Sequence, residues 1–278
     1  MDLLLPYIIE SGLSEDIGAG DITTDALIDA EAMGRGYIVA KEDLVIAGLN
    51  AAAAVFETLD PEVACLFMAT DGDMVKTGTK VMQLEGSVRA LLKGERLALN
   101  ILQRLSGIAT LTRACVDELA GTKVRLVDTR KTTPGLRVLE KYAVRTGGAA
   151  NHRMGLFDGV LIKDNHIAAC GGIAQAVAKA RAAVHHLVKI EIEVSNQDEV
   201  AQALEAGADV IMLDNMDLEA VRQAVTTIAG RALVEVSGSV ARENLRTLAD
   251  TGVDIISMGS LTHSARAVDL SMRIAAEK

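Results

Sequence analysis

Six short apolar runs, each ending in a polar residue, recur through the C-terminal two-thirds of the chain. They are VRLVDTR (124–130), GVLIKDNH (159–166), KIEIEV (189–194), VIMLDN (210–215), ALVEVSG (232–238) and DIISMGS (254–260). Measured between Asp128, Lys163, Glu193, Asp214, Ser237 and Gly259, the intervals are 35, 30, 21, 23 and 22 residues. Each interval holds a strand, a loop and a helix, and stretches rich in Ala and Leu follow most of the runs. Serial βα units of this kind make a parallel sheet with helical cover. Polar residues gather at the strand ends, which favours a (β/α) barrel with its site on that face. An open doubly wound sheet is the runner-up, but no run is followed by a GxGxxG loop. Gly207 in EAGADV and Gly252 in DTGVDI stand where a helix closes before the next strand.

The first third reads differently. Residues 35–59 predict two strands, a turn at Gly48 and a helix, and residues 71–86 alternate around Gly78 like a hairpin. A helix-compatible stretch then runs from about Gly94 to Leu119. The opening MDLLLPYIIE lacks a basic region and is interrupted by Pro6, so it reads as a short amphipathic helix and not as a signal peptide. The expected organisation is an α+β domain over 1–110 and a (β/α) barrel over 111–278, with a C-terminal helix packing back on the first domain.

Half of the chain is hydrophobic but only 2% is aromatic, the net charge is −10, and no apolar stretch approaches the length of a membrane span. An acidic chain with so few stacking side chains is a poor nucleic-acid binder. Cys65, Cys115 and Cys170 form no CxxC pair, which fits reduced thiols in a cytoplasmic protein.

Charge is concentrated against this background. Between Asp128 and His166 there are seven Lys or Arg against four acids, a basic island that fits a local anionic ligand better than an extended polyanion. Arg137, Lys141 and Arg145 recur at helical spacing and are expected on a solvated helix face. Arg130 and Lys131 follow the first barrel strand, His152 and Arg153 follow Gly147 and Gly148, and Lys163 ends the next strand. Such a cluster suits a ligand with more than one anionic group, because Arg binds carboxylate bidentately and Lys supplies a point charge. Glu191 and Glu193 share one strand face and Asp214 ends the next strand. These carboxylates suit Mg²⁺ held through water, or sugar hydroxyls, with neutralisation of a lysine the plainer role for Glu191. Asp164 and Asn165 stand ready to support Lys163. Ser237, Gly238 and Ser239, with Gly259, Ser260 and His263, lie in loops after the last two strands, where barrels commonly bind phosphate. No Ser-His-Asp order, CxxC site or HExxH helix is present. A Schiff-base role for Lys163 would leave the other cations unexplained.

The blocks DTRKTTPGLR, EKYAVRTGGAANHRMGLFDGVLIKDNH, EIEV, MLDN, EVSG and GVDIISMGSLTHS resemble the quinolinate phosphoribosyltransferase family, as do EDIGAGDITTD and GERLALNILQRLSGIAT nearer the start. The resemblance covers nearly the whole chain in order. It implies an incomplete barrel of the type II phosphoribosyltransferase kind behind an N-terminal α+β domain. It implies transfer of the phosphoribosyl group of phosphoribosyl pyrophosphate to quinolinate with decarboxylation, in a Mg²⁺-dependent homodimer or assembly of dimers. By motif, Arg130, His152, Arg153 and Lys163 surround the quinolinate carboxylates, and Arg96 reaches in from the other subunit, whose N-terminal domain covers the barrel mouth. Lys131, Glu193 and Asp214 serve ribose, pyrophosphate and Mg²⁺, while Ser237, Gly238, Gly259 and His263 hold phosphate. Two positions depart from the family pattern: Ala149 replaces the third glycine before the His-Arg pair, and Ser239 stands where Gly or Asn is usual. A molybdenum-transport-associated paralogue with another acceptor, and a non-catalytic phosphate or nucleotide sensor, are the alternatives at this stage.

Overall fold

The structure, a computed structural model, describes residues 4–276. The chain divides into two compact units, one made of Met1–Arg113, Thr132–Gly148 and Ser264–Lys278, the other of Ala114–Lys131 and Ala149–His263. Residues 132–148 thus group with the first unit, as does the segment from residue 264, whose end the sequence also places against that domain.

The second unit is the parallel sheet that the six runs predict. Its strands are β6 (Arg125–Val127), β7 (Val160–Ile162), β8 (Ile190–Val194), β9 (Val210–Asp214), β10 (Leu233–Ser237) and β11 (Ile255–Ser257). They lie in the order β6-β11-β10-β9-β8-β7, all parallel. β6 and β7 are the two edges, so the ring is incomplete. Instead of β7, the outer edge of β6 meets a single parallel bridge between Val127 and Ala150. Helices α6 (Asp164–Cys170), α7 (Ile173–Ala183), α8 (Gln197–Glu205), α9 (Leu218–Ile228), α10 (Leu245–Ala249) and α11 (Ser260–His263) supply the connections. α8 and α9 start at Asn196 and Asp217, whose side chains accept the N–H of Glu199 and Ala220, the N-cap contact that stops these helices fraying. α7, α8 and α9 each bury a narrow apolar stripe, Ile173, Ala176 and Val177 in α7, Val200 and Ala203 in α8, and Val221, Ala224 and Ile228 in α9.

In the first unit, α1 (Leu5–Ile17) carries Pro6 in its first turn, where a missing N–H costs nothing, and buries Leu5, Ile9 and Leu13. α2 (Ile22–Leu27) follows it. β1 (Met33–Ala40), β3 (Ala64–Phe67) and β5 (Lys80–Ser87) form an antiparallel sheet in the order β12-β1-β5-β3. Its outer strand β12 (Leu270–Ala276) replaces the C-terminal helix expected from the sequence, pairing with β1 from Gly34 to Ala40. The physical reason is a period of two at its inner end: Leu270 and Met272 are buried while Ser271 and Arg273 are not.

The hairpin expected over 71–86 also fails. β4 (Met74–Val75) pairs with β2 (Leu44–Val45), and β5 pairs with β1 and β3. Asp43 accepts hydrogen bonds from Lys76 and from the Thr77 N–H at 2.8 and 2.9 Å, which ties the connecting turn to β2's side of the fold.

Gly48 (φ 100°) precedes α3 (Leu49–Leu59), and α4 (Val88–Glu118) is the long helix, its last residues belonging to the second unit. α5 (Arg137–Thr146) corrects the exposed-face expectation: Arg145 is exposed, but Lys141 is fully buried together with Glu140. A buried charge is tolerable only when paired. Glu140 accepts from Arg104 Nε and Nη2 at 3.0 and 2.8 Å and from the Thr133 hydroxyl at 2.8 Å. Among the described residues no helix is long and apolar enough to cross a membrane.

The docking of the C-terminal segment on α4 depends on one small residue. A Cβ on Gly107 would lie 2.0 Å from the Arg266 carbonyl oxygen, and that atom is backbone and cannot rotate away. Gly107→Ala is therefore expected to destabilise the protein by about 1–3 kcal/mol, as forced overpacking does. Chemical denaturation checks this, and a change within about 0.5 kcal/mol, the size of an ordinary surface substitution, would contradict it.

Candidate active site

Side chains alternate along a strand, so every second residue of the second unit's strands points to the sheet's inner face. Near the C-terminal strand ends this face opens into a cavity of about 520 Å³. Thr129, Arg130 and Lys131 line it beyond β6, Leu161 and Lys163 from β7, Glu193 from β8, Met212, Asp214 and Asn215 from β9, Ser237 to Ser239 from β10, and Ser257 from β11. His152 and Arg153 complete the wall. Most of the residues expected to act together are thus neighbours. Gly259 and His263 lie beyond the lining, packed at Lys131: a Cβ on Gly259 would come to 3.0 Å from Lys131 Cδ and 3.2 Å from the His263 ring. The Thr262 hydroxyl donates to the Lys131 carbonyl at 2.7 Å, which ties α11 to the segment after β6. Ser260 opens α11 outside the cavity lining, and Arg96 is exposed on α4 in the first unit.

The cations are arranged at some cost. Arg153 is partly buried, and its pKa is pushed below the usual guanidinium value first by burial and then by the charge of Arg130. It stays charged, since arginine does so in proteins, but the repulsion marks a place where an anion would be stabilised. Its Nη1 donates to the Gly159 carbonyl at 2.9 Å, which aims the side chain. Lys163 Nζ lies 2.5 Å from Glu193 Oε2, so one member of the strand-end acid set balances one member of the cation set. His166 accepts the Lys163 N–H at 2.9 Å, and Asp164 and Asn165 are exposed in α6.

The loop after β10 turns through the left-handed region. Gly238 has φ 88°, and a Cβ there would meet Asn215 Oδ1 at 2.2 Å. Asn215 (φ 52°) and Ser239 (φ 49°) are also left-handed. The left-handed region favours Gly and Asn, so of the three it is Ser239 that carries the strain. At the other departure, Ala149 is half-buried and leads directly into the bridge at Ala150.

Glu191 does not neutralise a lysine. One step deeper than Glu193, it lies 3.0 Å from His152 Nε2, and Glu235 lies 3.7 Å from the same nitrogen. A second cavity of about 300 Å³ opens at this depth, and His152 and Arg153 line both cavities. Sequence reasoning passed over Glu235, although an acid inside the apolar ALVEVSG run was a visible signal. It also passed over Asp128 as anything but a strand marker. Asp128 is fully buried and accepts hydrogen bonds from Asn151 Nδ2 at 2.6 Å and the His152 N–H at 2.9 Å.

Known proteins resemble this chain in sequence and fold. Residues 21–106 match the N-terminal and residues 108–273 the C-terminal domain of quinolinate phosphoribosyl transferase. The chain is 45% identical over 272 residues to the probable nicotinate-nucleotide pyrophosphorylase (carboxylating) of Bacillus subtilis, covering 98% of this chain and 94% of that protein. It is 40% identical over 292 residues to the chloroplastic nicotinate-nucleotide pyrophosphorylase (carboxylating) of Arabidopsis thaliana, covering 98% and 83%. Its fold superimposes on the crystal structure of NadC from Streptococcus pyogenes with a TM-score of 0.95 at 42% identity, covering 100% of both chains. With both domain models matched in order and relatives above 40% identity along almost its whole length, the chain belongs to the quinolinate phosphoribosyltransferase family of enzymes.

Proposed function

We propose that this chain transfers the phosphoribosyl group of phosphoribosyl pyrophosphate to the ring nitrogen of quinolinate and releases the adjacent carboxyl as CO₂, giving nicotinate mononucleotide and pyrophosphate. The observation that carries this reading is the confrontation of Arg130 and Arg153 in one cavity, with Lys163 beside them. A rigid dicarboxylate fits such a place, because each carboxylate would offset the repulsion between the two guanidinium groups.

The nitrogen lone pair forms the bond to ribose C1 as the bond from C1 to pyrophosphate breaks, and the leaving oxygen takes that electron pair. Positive charge develops on the sugar and negative charge on pyrophosphate. Lys131 faces the second, and the carboxylates of Glu193 and Asp214 orient the ribose hydroxyls and balance the first. Once ribosylated, the ring nitrogen is cationic, so the electron pair of the breaking carbon–carboxylate bond stays on the ring as CO₂ leaves, and a proton takes its place. No covalent nucleophile is required; the protein orients and neutralises. Ser237, Gly238 and Ser239 offer the donor's 5′-phosphate a left-handed turn with Gly259, Ser260 and His263 beyond it.

Glu193 and Asp214 end adjacent strands and present only hard oxygen donors, which fits Mg²⁺ held through water. Bound there, the ion would neutralise the pyrophosphate charge. A homodimer in which Arg96 of the partner subunit completes the quinolinate site belongs to the same reading, and so does a cytoplasmic location. Cys65, Cys115 and Cys170 are all free, and burial pushes the Cys65 and Cys115 thiols up to about 11, an inert form suited to a reducing compartment.

Leaving a desolvated ionic partner unmatched costs about 3–5 kcal/mol. Arg153→Ala should therefore lower kcat/KM on the order of a hundred- to several-thousand-fold, mainly through quinolinate. Steady-state kinetics in both substrates checks this, and a loss below about tenfold would remove Arg153 from the substrate's contacts. For the shared site, inactive Arg96→Ala and Lys163→Ala proteins are mixed under conditions of proven subunit exchange. Partial recovery of activity is expected, and none would show that Arg96 does not act across subunits.

A further inference from the structure

His152 is expected among the substrate's ligands, yet both nitrogens of its ring are engaged within the protein. Nδ1 accepts the backbone N–H of Arg153 at 2.8 Å. A nitrogen that accepts carries no proton, so the ring proton sits on Nε2, and Nε2 faces Glu191 Oε2 at 3.0 Å. Behind Glu191 stands Glu235, on β10 and only 2% exposed, with Glu191 itself 8% exposed. The three side chains bring their nearest ligating atoms within 4.8 Å of one another, and Oε1 of each glutamate is buried without a hydrogen-bond partner.

Two carboxylates this close and this dry make it costly to charge both. Glu235 is the deeper, and its carboxyl is pushed up to about 8, first by burial and then by the charge of Glu191. The other charged groups around the same cavity are Arg125, Arg153, Lys189 and Asp158.

We propose that Glu191 and Glu235 are positioning residues for the acceptor: Glu191, backed by Glu235, accepts from His152 Nε2, and His152 in turn holds the backbone of Arg153. The inference rests on the proposed role of Arg153 toward quinolinate. It makes His152 a strut between the sheet's interior and Arg153. It also assigns a use to two acids that the transfer reaction does not need.

The test is the separation of the two Michaelis constants, with a conservative rescue. Glu191→Leu and Glu235→Leu should each raise KM for quinolinate about 10–100-fold, the loss of a hydrogen bond to a charged group, with KM for phosphoribosyl pyrophosphate within about twofold. Glu235→Gln cannot ionise but keeps the donor, so it should recover most of what Glu235→Leu loses. In the wild type, KM for quinolinate should rise as pH passes about 8, when Glu235 ionises behind Glu191, and Glu235→Gln should abolish that rise. An equal rise in both Michaelis constants would reduce the pair to a structural role and overturn the proposal. So would persistence of the alkaline rise in Glu235→Gln, or a stoichiometric divalent metal in the purified enzyme that Glu235→Gln removes. If Arg153→Ala leaves KM for quinolinate unchanged, the reading of Arg153 fails first; if Arg153→Ala raises it and the glutamate variants do not, the positioning role alone fails.

Discussion

The segment that carries His152 and Arg153 is laid along the free edge of β6 by backbone hydrogen bonds and by one buried carboxylate. Ala150 N–H donates to the Leu126 carbonyl at 2.9 Å, and Asp128 accepts from the Asn151 side chain and the His152 backbone. The incomplete ring leaves that edge of β6 without a neighbouring strand, and an unpaired edge needs partners. Here a loop supplies them, and the same contacts fix where two of the site's side chains begin. Asp128 thus joins the topology of the sheet to the placement of His152 and Arg153. Removing its carboxylate would leave two partly buried donors unpaired and release the loop at once.

Charge supplies the second constraint. Arg130, Arg153 and Lys163 crowd one cavity, and Arg153 is held there against burial and against its neighbour's charge. Such an arrangement persists only because surrounding groups over-determine it: the Gly159 carbonyl on Arg153, Glu193 on Lys163, and the chain from Glu191 through His152. The enzyme's affinity for an anionic substrate is in this sense prepared before the substrate arrives. The left-handed turn at Gly238 and Ser239 repeats the pattern in backbone form.

Much of this was legible in the sequence. All six barrel strands were, because buried parallel strands read as short β-branched runs, and the polar residue ending each run marked the site's face. The cation and carboxylate sets were also legible, since their positions follow from the strand ends. What local pattern cannot carry is partnership at a distance. β4 pairs with β2 and not with β5, and nothing within 71–86 announces it. Lys141 shares the spacing of Arg137 and Arg145, but spacing does not say which face of α5 is covered. The end of the chain did contain a signal, the alternation of Leu270 and Met272 with Ser271 and Arg273, and it outweighs helical composition there. Glu235 was visible as a residue, while its meaning depends on Glu191 and His152, which only folding brings to it.

The most direct test of the account is stoichiometry. Purified protein is given quinolinate, phosphoribosyl pyrophosphate and Mg²⁺, and pyrophosphate and CO₂ are followed together. The account predicts equal release of both products and neither without quinolinate, because nitrogen attack and loss of the adjacent carboxyl occur in one pocket. Pyrophosphate without CO₂, or no product from demonstrably folded protein, would contradict it.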